Sequence, residues 1–553
     1  MSLYRGSVLV SKLCVGAQIV SAAYSNGVNI LGGDVYRFAA TRLRIPQVQA
    51  TVNSANTYFI HEGSFASPDY TVTDPAFLLP AFYSTQNTPN DVALSLPYVC
   101  HGLAIKVGST WHRASIDSAV GVTITPSLIT PGVWVTLTGV TIPANTVCRV
   151  QSVINGYNGG SNGSAPSQTT YTGDIRVAAS ALGTAGSGLL NMFADNGGTL
   201  TGSHSGFSGV FMPAMIVAKS PASAMVHLII GDSISEGKND SADPTVRGEH
   251  GFLTIGLDDN STSKRQAFGN IGIPGTNPAQ QTTLANWLGR YNALLQAKAL
   301  NAGGEWPFNS IISEHGTNSL SINLAGTTMP AYFGMLRSTF PGVRLTQTEL
   351  ISRPTSSTDG WQTVGNMTVT DASLNGYAGR STANGGTNAA AGGRWDTNIA
   401  IGGANGLGAV VANSSYYQAG HIDDSFAPWR YGSYDTGSNR DKPKVRAFTS
   451  TVAATYSNTT TIQLAGQPPN VGDTLILYSD ATFTTAEGDG TILNVTGSGP
   501  YTVTLAGGIG NAVVGDAVAT AFHDRTGLHP GTYGHRSVYH QSVIDWKIAR
   551  GWV

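Results

Sequence analysis

The sequence predicts an α/β domain with a β-sandwich region in front of it and a small β domain inserted into it, and three observations carry this. Residues 1 to about 220 hold short stretches of alternating apolar and polar residues between turn-rich pieces, the period of half-buried strands. From Met225 the apolar residues come instead as short continuous runs alternating with helical spacing, as in a parallel sheet covered on both faces. Between 446 and 520 Thr-rich, β-branched stretches return, with glycine turns between them.

Taken in order, residues 1–90 read as a β-rich segment and 91–220 as a sandwich of jelly-roll type. Val133-Trp134-Val135-Thr136-Leu137-Thr138 shows the alternation, and Asn155 to Gly160 is one of the turn-rich separators. The α/β domain covers 221–445 and 521–553. Met225 to Ile230 is a buried strand ending at Gly231. Leu284, Trp287, Leu288, Tyr291, Leu294 and Leu295 share one face of a helix over about 281–299. Ile311-Ile312 and Val343 to Leu345 are further strands, and Arg536 to Arg550 reads as a closing helix. The insert, 446–520, reads as a small barrel or sandwich with strands at Thr459–Leu464, Thr474–Tyr478, Thr491–Thr496 and Tyr501–Leu505. Within it the tripeptide Val-Gly-Asp occurs at 471–473 and again at 514–516.

A chain of 553 residues exceeds one ordinary core, and 41% hydrophobic residues suffice for several. Only 11% are charged, against roughly a quarter in typical soluble domains, while Gly alone numbers 68. Such a weakly charged, polar surface suits an extracellular or virion-associated β-rich protein. A formal net charge of −2 without a Lys/Arg cluster excludes a nucleic-acid footprint. No apolar run reaches about 18 residues, so no membrane span is expected. The apolar stretch near the start is broken by Ser11 and Lys12, so it does not read as a signal peptide. Cys14, Cys100 and Cys148 lack metal-ligand spacing and read as small buried apolar residues, with one disulfide among them left open.

Four segments carry chemistry. Gly231-Asp232-Ser233-Ile234-Ser235-Glu236-Gly237 directly follows a buried strand, and open α/β sheets bind ligands at the carboxyl ends of their strands. A serine there is either a helix cap or a nucleophile. Asn270-Ile271-Gly272-Ile273-Pro274-Gly275-Thr276 is a tight loop able to present bare backbone N–H groups. Glu314-His315-Gly316-Thr317-Asn318-Ser319 follows a strand and offers an amide donor for a developing oxyanion. His523-Asp524-Arg525-Thr526-Gly527-Leu528-His529-Pro530 brings a base and a carboxylate together. These supply the four roles of acyl transfer: nucleophile, base, orienting group and oxyanion donors. His315, His523, His535 and His540 read as capping or packing groups, since no His/Glu or Cys/His pattern suggests a metal.

Together and in this order, the four segments resemble the sequence blocks of the SGNH (GDSL-like) hydrolases: GDSIS, N-x-G-x-x-G, G-x-N and a late His-Pro block. The resemblance covers 221–445 and 521–553 and implies a three-layer α/β/α catalytic domain. It implies Ser233 as nucleophile and His529 as general base. The oxyanion hole would comprise the N–H groups of Ser233 and Gly275 and the side chain of Asn318, and Asp232 would brace the turn. Two departures stand out. Ser319 occupies the usual Asp position of the third block, and Thr526 occupies the carboxylate position three before His529, so Asp524 is the expected third member of the triad. The expected reaction is hydrolysis of short-chain acyl esters, acetyl above all, on carbohydrate or a small ester, through an acyl-enzyme and without metal or organic cofactor. The rival reading is a glycan-binding adhesion or virion protein with a degenerate hydrolase domain.

Overall fold

The computed structural model describes residues 34–40, 45–52, 58–86, 90–116, 120–156, 211–238, 250–261, 264–318, 324–351, 394–403, 414–428, 449–479, 486–521 and 534–552, and besides these only single residues and short strand pieces. Asp524 and His529 lie outside the described residues, as does His523. The architecture is mixed α/β, with many strands and sheets.

Two antiparallel sheets form the first half. One orders Thr110–Arg113, Tyr98–Val107, Val147–Gly156, Tyr58–Ala66 and Ile175–Ala179, with Val122–Ile124 added on Tyr98–Val107. The other orders Gly132–Thr136, Val72–Pro80, Met215–Ser220 and Val35–Phe38. Both draw strands from either side of residue 90. Phe65, Leu103, Ile105 and Val150 of the first sheet meet Phe77, Ile216 and Ala218 of the second in one buried cluster, so the two sheets share a core. The alternating stretch at 133–138 is the edge strand Gly132–Thr136, all of it half-buried. Cys100 and Cys148 are buried free thiols, and burial pushes both up to about 12.

A five-stranded, all-parallel sheet follows, built from β1 (Val226–Ile230), β2 (Ala267–Asn270), β3 (Ser310–Ser313), β4 (Arg344–Thr348) and β5 (Asp424–Phe426) in the order β2-β1-β3-β4-β5. Its helices are α1 (Ser233–Glu236), α2 (Phe252–Asp258), α3 (Pro278–Gln281), α4 (Leu288–Ala299), α5 (Met329–Thr339), α6 (Arg394–Gly402), α7 (Ser415–Gln418) and α8 (His540–Ala549). Successive residues of β1 join different cores because a strand alternates its faces. Leu228 and Ile230 pack with Leu294 of α4 and Phe333 of α5, whereas Ile229 packs with Phe252 of α2 and Val543 of α8. The strand order reverses at β1, so the crevice between the carboxyl ends of β1 and β3 is where such a sheet receives a ligand.

The sandwich and the parallel sheet share one hydrophobic cluster. Phe38, Leu78, Phe82 and Met215 of the former lie with Leu228, Trp287 and Phe308 of the latter. Phe38 stacks on Phe308 with centroids 5.9 Å apart and fills the space beside Gly269, where an added Cβ would come within 2.6 Å of its ring. At the far edge, Asp424 of β5 is fully buried and takes Nε1 of Trp546 at 2.8 Å and the guanidinium of Arg344 at 2.6 Å, tying α8 to the sheet.

The sequence reading of one helix over 281–299 is corrected. Residues Pro278–Gln281 form a separate turn with a full capping box from Asn277 and Gln280, Leu284–Trp287 is a 3-10 turn, and α4 begins only at Leu288. The buried face of α4 is Gly289, Arg290, Ala293, Leu294 and Ala297, rotated from the face hydropathy marks. Hydropathy fails there because Arg290 is buried against a buried partner.

The insert is six strands in the order Thr449–Thr451, Ala517–Ala521, Thr474–Tyr478, Ala486–Thr496, Tyr501–Leu505, Thr461–Leu464, all neighbours antiparallel. A bridge between Val452 and Leu464 joins the two ends of this path, so the sheet closes on itself. Among the described residues its core, including Ile462, Leu475, Leu477, Ile492 and Val503, contains only residues of the insert. The two Val-Gly-Asp tripeptides make the same turn before paired strands. Gly472 and Gly515 both take positive φ (89° and 93°), and the N–H groups of Asp473 and Asp516 each donate three residues back. No helix among the described residues is long and apolar enough to cross a membrane.

Candidate active site

The structure brings the first three motif segments together at the carboxyl ends of β1, β2 and β3. β1 ends at Ile230, and Asp232 caps α1, its Oδ1 accepting the N–H of Ile234 at 2.9 Å. Ser233 is the first residue of α1 and is only 5% exposed. Gly231 must be glycine, since a Cβ there would lie 2.3 Å from the Ser235 hydroxyl and 3.1 Å from Cβ of Glu314.

Asn270, at the end of β2, binds the second segment to the first. Its Nδ2 donates to the Ser235 carbonyl at 2.9 Å and its Oδ1 accepts from Gly272 N–H at 2.9 Å. The N–H of Ile273 donates to the Gly231 carbonyl at 3.0 Å, and the Thr276 hydroxyl donates to the same carbonyl at 3.2 Å. Gly275 between them takes φ +78°, a left-handed conformation that suits glycine, and this turns the loop so that both flanks meet the Gly231 carbonyl.

Asn318 closes the arrangement from the third segment. Its Nδ2 donates to Oδ2 of Asp232 and to the Thr276 carbonyl, both at 3.1 Å. One amide thus links all three segments, and its two hydrogens are both engaged. Donation to an oxyanion at this position requires one of those bonds to be exchanged.

Glu314 is the residue that motif reading missed. It is fully buried beneath the turn, against Asp232. Burial, then the charge of Asp232, pushes its carboxyl well above the usual value of 4.5, while the facing N–H groups of Asp232 and Ser235 pull less strongly the other way. The proton of this pair resides on Glu314, because Asp232 already accepts two N–H donors that favour its charged form. No pattern signal marks Glu314 beyond a charged residue at the end of a strand whose four residues are all buried.

A raised carboxyl takes up a proton on folding. The stability this pair contributes is complete below about 4.5 and is lost as pH rises through the folded value. Glu314→Gln, already neutral and still able to donate to Asp232, is expected to gain stability relative to the native chain as pH rises from 5 to 9. Thermal melting of both proteins across that range checks it, and a constant difference would remove the proton from Glu314.

The histidines divide. Neither ring nitrogen of His315 has a hydrogen-bond partner among the described residues; the ring packs edge-on to Tyr332 at 5.4 Å, and burial lowers it to about 3. His315 is therefore a neutral packing group. His535 accepts the N–H of Phe252 on Nδ1 at 3.1 Å and lies 3.1 Å through Nε2 from the Lys238 carbonyl, which makes Nε2 the protonated nitrogen. With Arg536, whose Nε meets buried Asp240 at 2.7 Å, it ties the segment before α8 to the chain just after α1.

No protein-family model and no curated protein matches the chain. Among solved structures it is similar to a protein from Bacteroides ovatus described as a GDSL-like lipase, at TM-score 0.17 and 9% identity over 54% of this chain and 61% of that one. It is similar to a family two carbohydrate esterase from Cellvibrio japonicus, at TM-score 0.18 and 13% identity over 60% and 78%. A third is a carbohydrate acetylesterase from Xanthomonas citri, at TM-score 0.21 and 9% identity over 80% and 96%. The chain spans 61% of the Bacteroides ovatus protein and 63% of a similar one from Parabacteroides merdae. These structural neighbours are GDSL-like lipases and carbohydrate esterases, at low TM-score and low identity.

Proposed function

We propose that this protein is a serine esterase of SGNH type, with a three-layer catalytic domain, that removes short acyl groups, acetyl above all, from carbohydrate. The observation that carries the reading is the placement of Ser233. It stands at the carboxyl end of β1 beside the reversal of strand order, with the Gly275 loop and Asn318 hydrogen-bonded into the same turn.

The chemistry follows from that placement. Ser233 Oγ attacks the ester carbonyl while its proton passes to His529, and the carbonyl oxygen takes the negative charge. Backbone N–H groups of Ser233 and Gly275, with one hydrogen of Asn318 exchanged from its resting partner, meet that charge. The intermediate collapses to an acyl-serine, His529 giving its proton to the departing alcohol. Water then attacks with His529 again as base, releasing the acid and restoring Ser233. His535 is bonded near α1 and follows His529 by six positions, a stretch of chain that spans at most about 20 Å. Asp524 serves as the partner of the imidazolium.

The altered last block, with Thr526 in the carboxylate position, favours a second reading as a glycan holder without turnover. A series of p-nitrophenyl esters alongside acetylated xylan separates the two. The esterase reading expects hydrolysis whose kcat/KM falls by roughly tenfold or more from acetate to octanoate. A rate that climbs with chain length points to a lipase, and no turnover with retained sugar binding points to the holder.

A further inference from the structure

We infer that Asp91, a residue of the β-sandwich, is a positioning residue for the oxyanion loop of the neighbouring domain, acting through Arg290. The inference rests on the esterase reading for its kinetic consequence and on geometry for its structural one.

Asp91 opens the strand Asp91–Ala93, paired with Phe82–Ser84, and the Ser84 hydroxyl donates to its Oδ1 at 2.5 Å. Its other contacts cross to α4. Nε of Arg290 donates to Oδ1 at 2.8 Å, and the backbone N–H of Arg290 donates to Oδ2 at 2.7 Å. The second bond is that of a helix cap. Arg290 is the third residue of α4, Trp287 at the cap position makes no side-chain cap bond, and a carboxylate 199 residues away takes the free N–H. Both side chains are at most 1% exposed.

Arg290 passes the constraint on. Its Nη1 donates to the carbonyl of Ile271 at 3.2 Å, and Ile271 opens the loop that leads to Gly275. The N–H side of Ile271 is held by Ile229 of β1, so the start of the loop is fixed between the sheet and the guanidinium. A planar fork bonded at several points holds position better than a flexible ammonium could. The close approach of α4 to the sandwich is set by Gly289, where a Cβ would lie 2.8 Å from the Phe82 ring. The β-sandwich therefore completes the scaffold of the active site, and the α/β domain alone lacks one end of this clamp.

The test uses Arg290→Lys in the full chain, because Lys keeps a positive charge for Asp91 but loses the reach to Ile271. The expected result is a fall in kcat of roughly ten- to a hundredfold with KM within about threefold, together with faster hydrogen exchange at the amides of Gly272, Ile273, Gly275 and Thr276. Unchanged kcat, or a fall expressed only in KM, overturns the inference. Should that variant fail to fold, Ser84→Ala loosens Asp91 more gently and is expected to lower kcat by roughly two- to fivefold with the same exchange signature. Native rates and exchange in Ser84→Ala overturn the inference equally. If the native protein hydrolyses none of the esters, the esterase reading fails, and unchanged exchange at those amides in Arg290→Lys is then what overturns the clamp.

Discussion

Ser233→Ala is expected to abolish ester hydrolysis, lowering kcat by roughly ten-thousandfold or more, since loss of a nucleophile leaves only the oxyanion donors and binding. Folding should survive. The cap of α1 is supplied by Asp232, and Asn270, Thr276 and Asn318 join the three segments. Rate assays with p-nitrophenyl acetate, paired with a melting curve, check both halves. An active variant with a native melting curve would move the chemistry elsewhere.

The second large effect concerns the partner of the base. An imidazole that accepts the serine proton needs a group on its other nitrogen, both to fix the tautomer and to stabilise the cation that forms. Thr526 cannot carry the charge, and Asp524 is the nearest carboxylate before His529 in the sequence. Asp524→Asn is expected to lower kcat by roughly a hundredfold to ten-thousandfold, and Thr526→Ala to be mild. Near-native turnover in Asp524→Asn would establish a serine–histidine dyad in its place.

How much of this was legible before the structure depends on the kind of signal. β1 announces itself because both its faces are buried, so Met225 to Ile230 reads as an apolar run, and the strand Val226–Ile230 follows it. The insert was legible from glycine turns between β-branched stretches, and Thr474–Tyr478 and Tyr501–Leu505 fall where that pattern puts them. Strand order was not legible, since alternating strands and helices fix neither which strand lies centrally nor where the order reverses.

Charged residues with buried partners defeated the pattern altogether. Arg290 breaks the apolar face of α4, and its partner lies in another domain, so hydropathy assigned the face to Tyr291 and Leu295 instead. Glu314 reads as an ordinary strand-end carboxylate, because nothing in the local sequence indicates that Asp232 will lie against it. The motif residues themselves were legible because glycine and asparagine in tight loops leave a spacing signature. The bond that ties Asn318 to Asp232 and Thr276 was not, since it depends on three strands meeting at one end of the sheet.

Ester hydrolysis through Ser233 requires a covalent acyl intermediate on its hydroxyl. Incubation of the full chain with a small alkyl fluorophosphonate, followed by digestion and peptide mass analysis, tests it most directly. The predicted result is one adduct per chain, on Ser233, that blocks hydrolysis of p-nitrophenyl acetate in proportion to labelling. Hydrolysis that continues while Ser233 stays unmodified, or an inactivating adduct on another residue, would contradict the account.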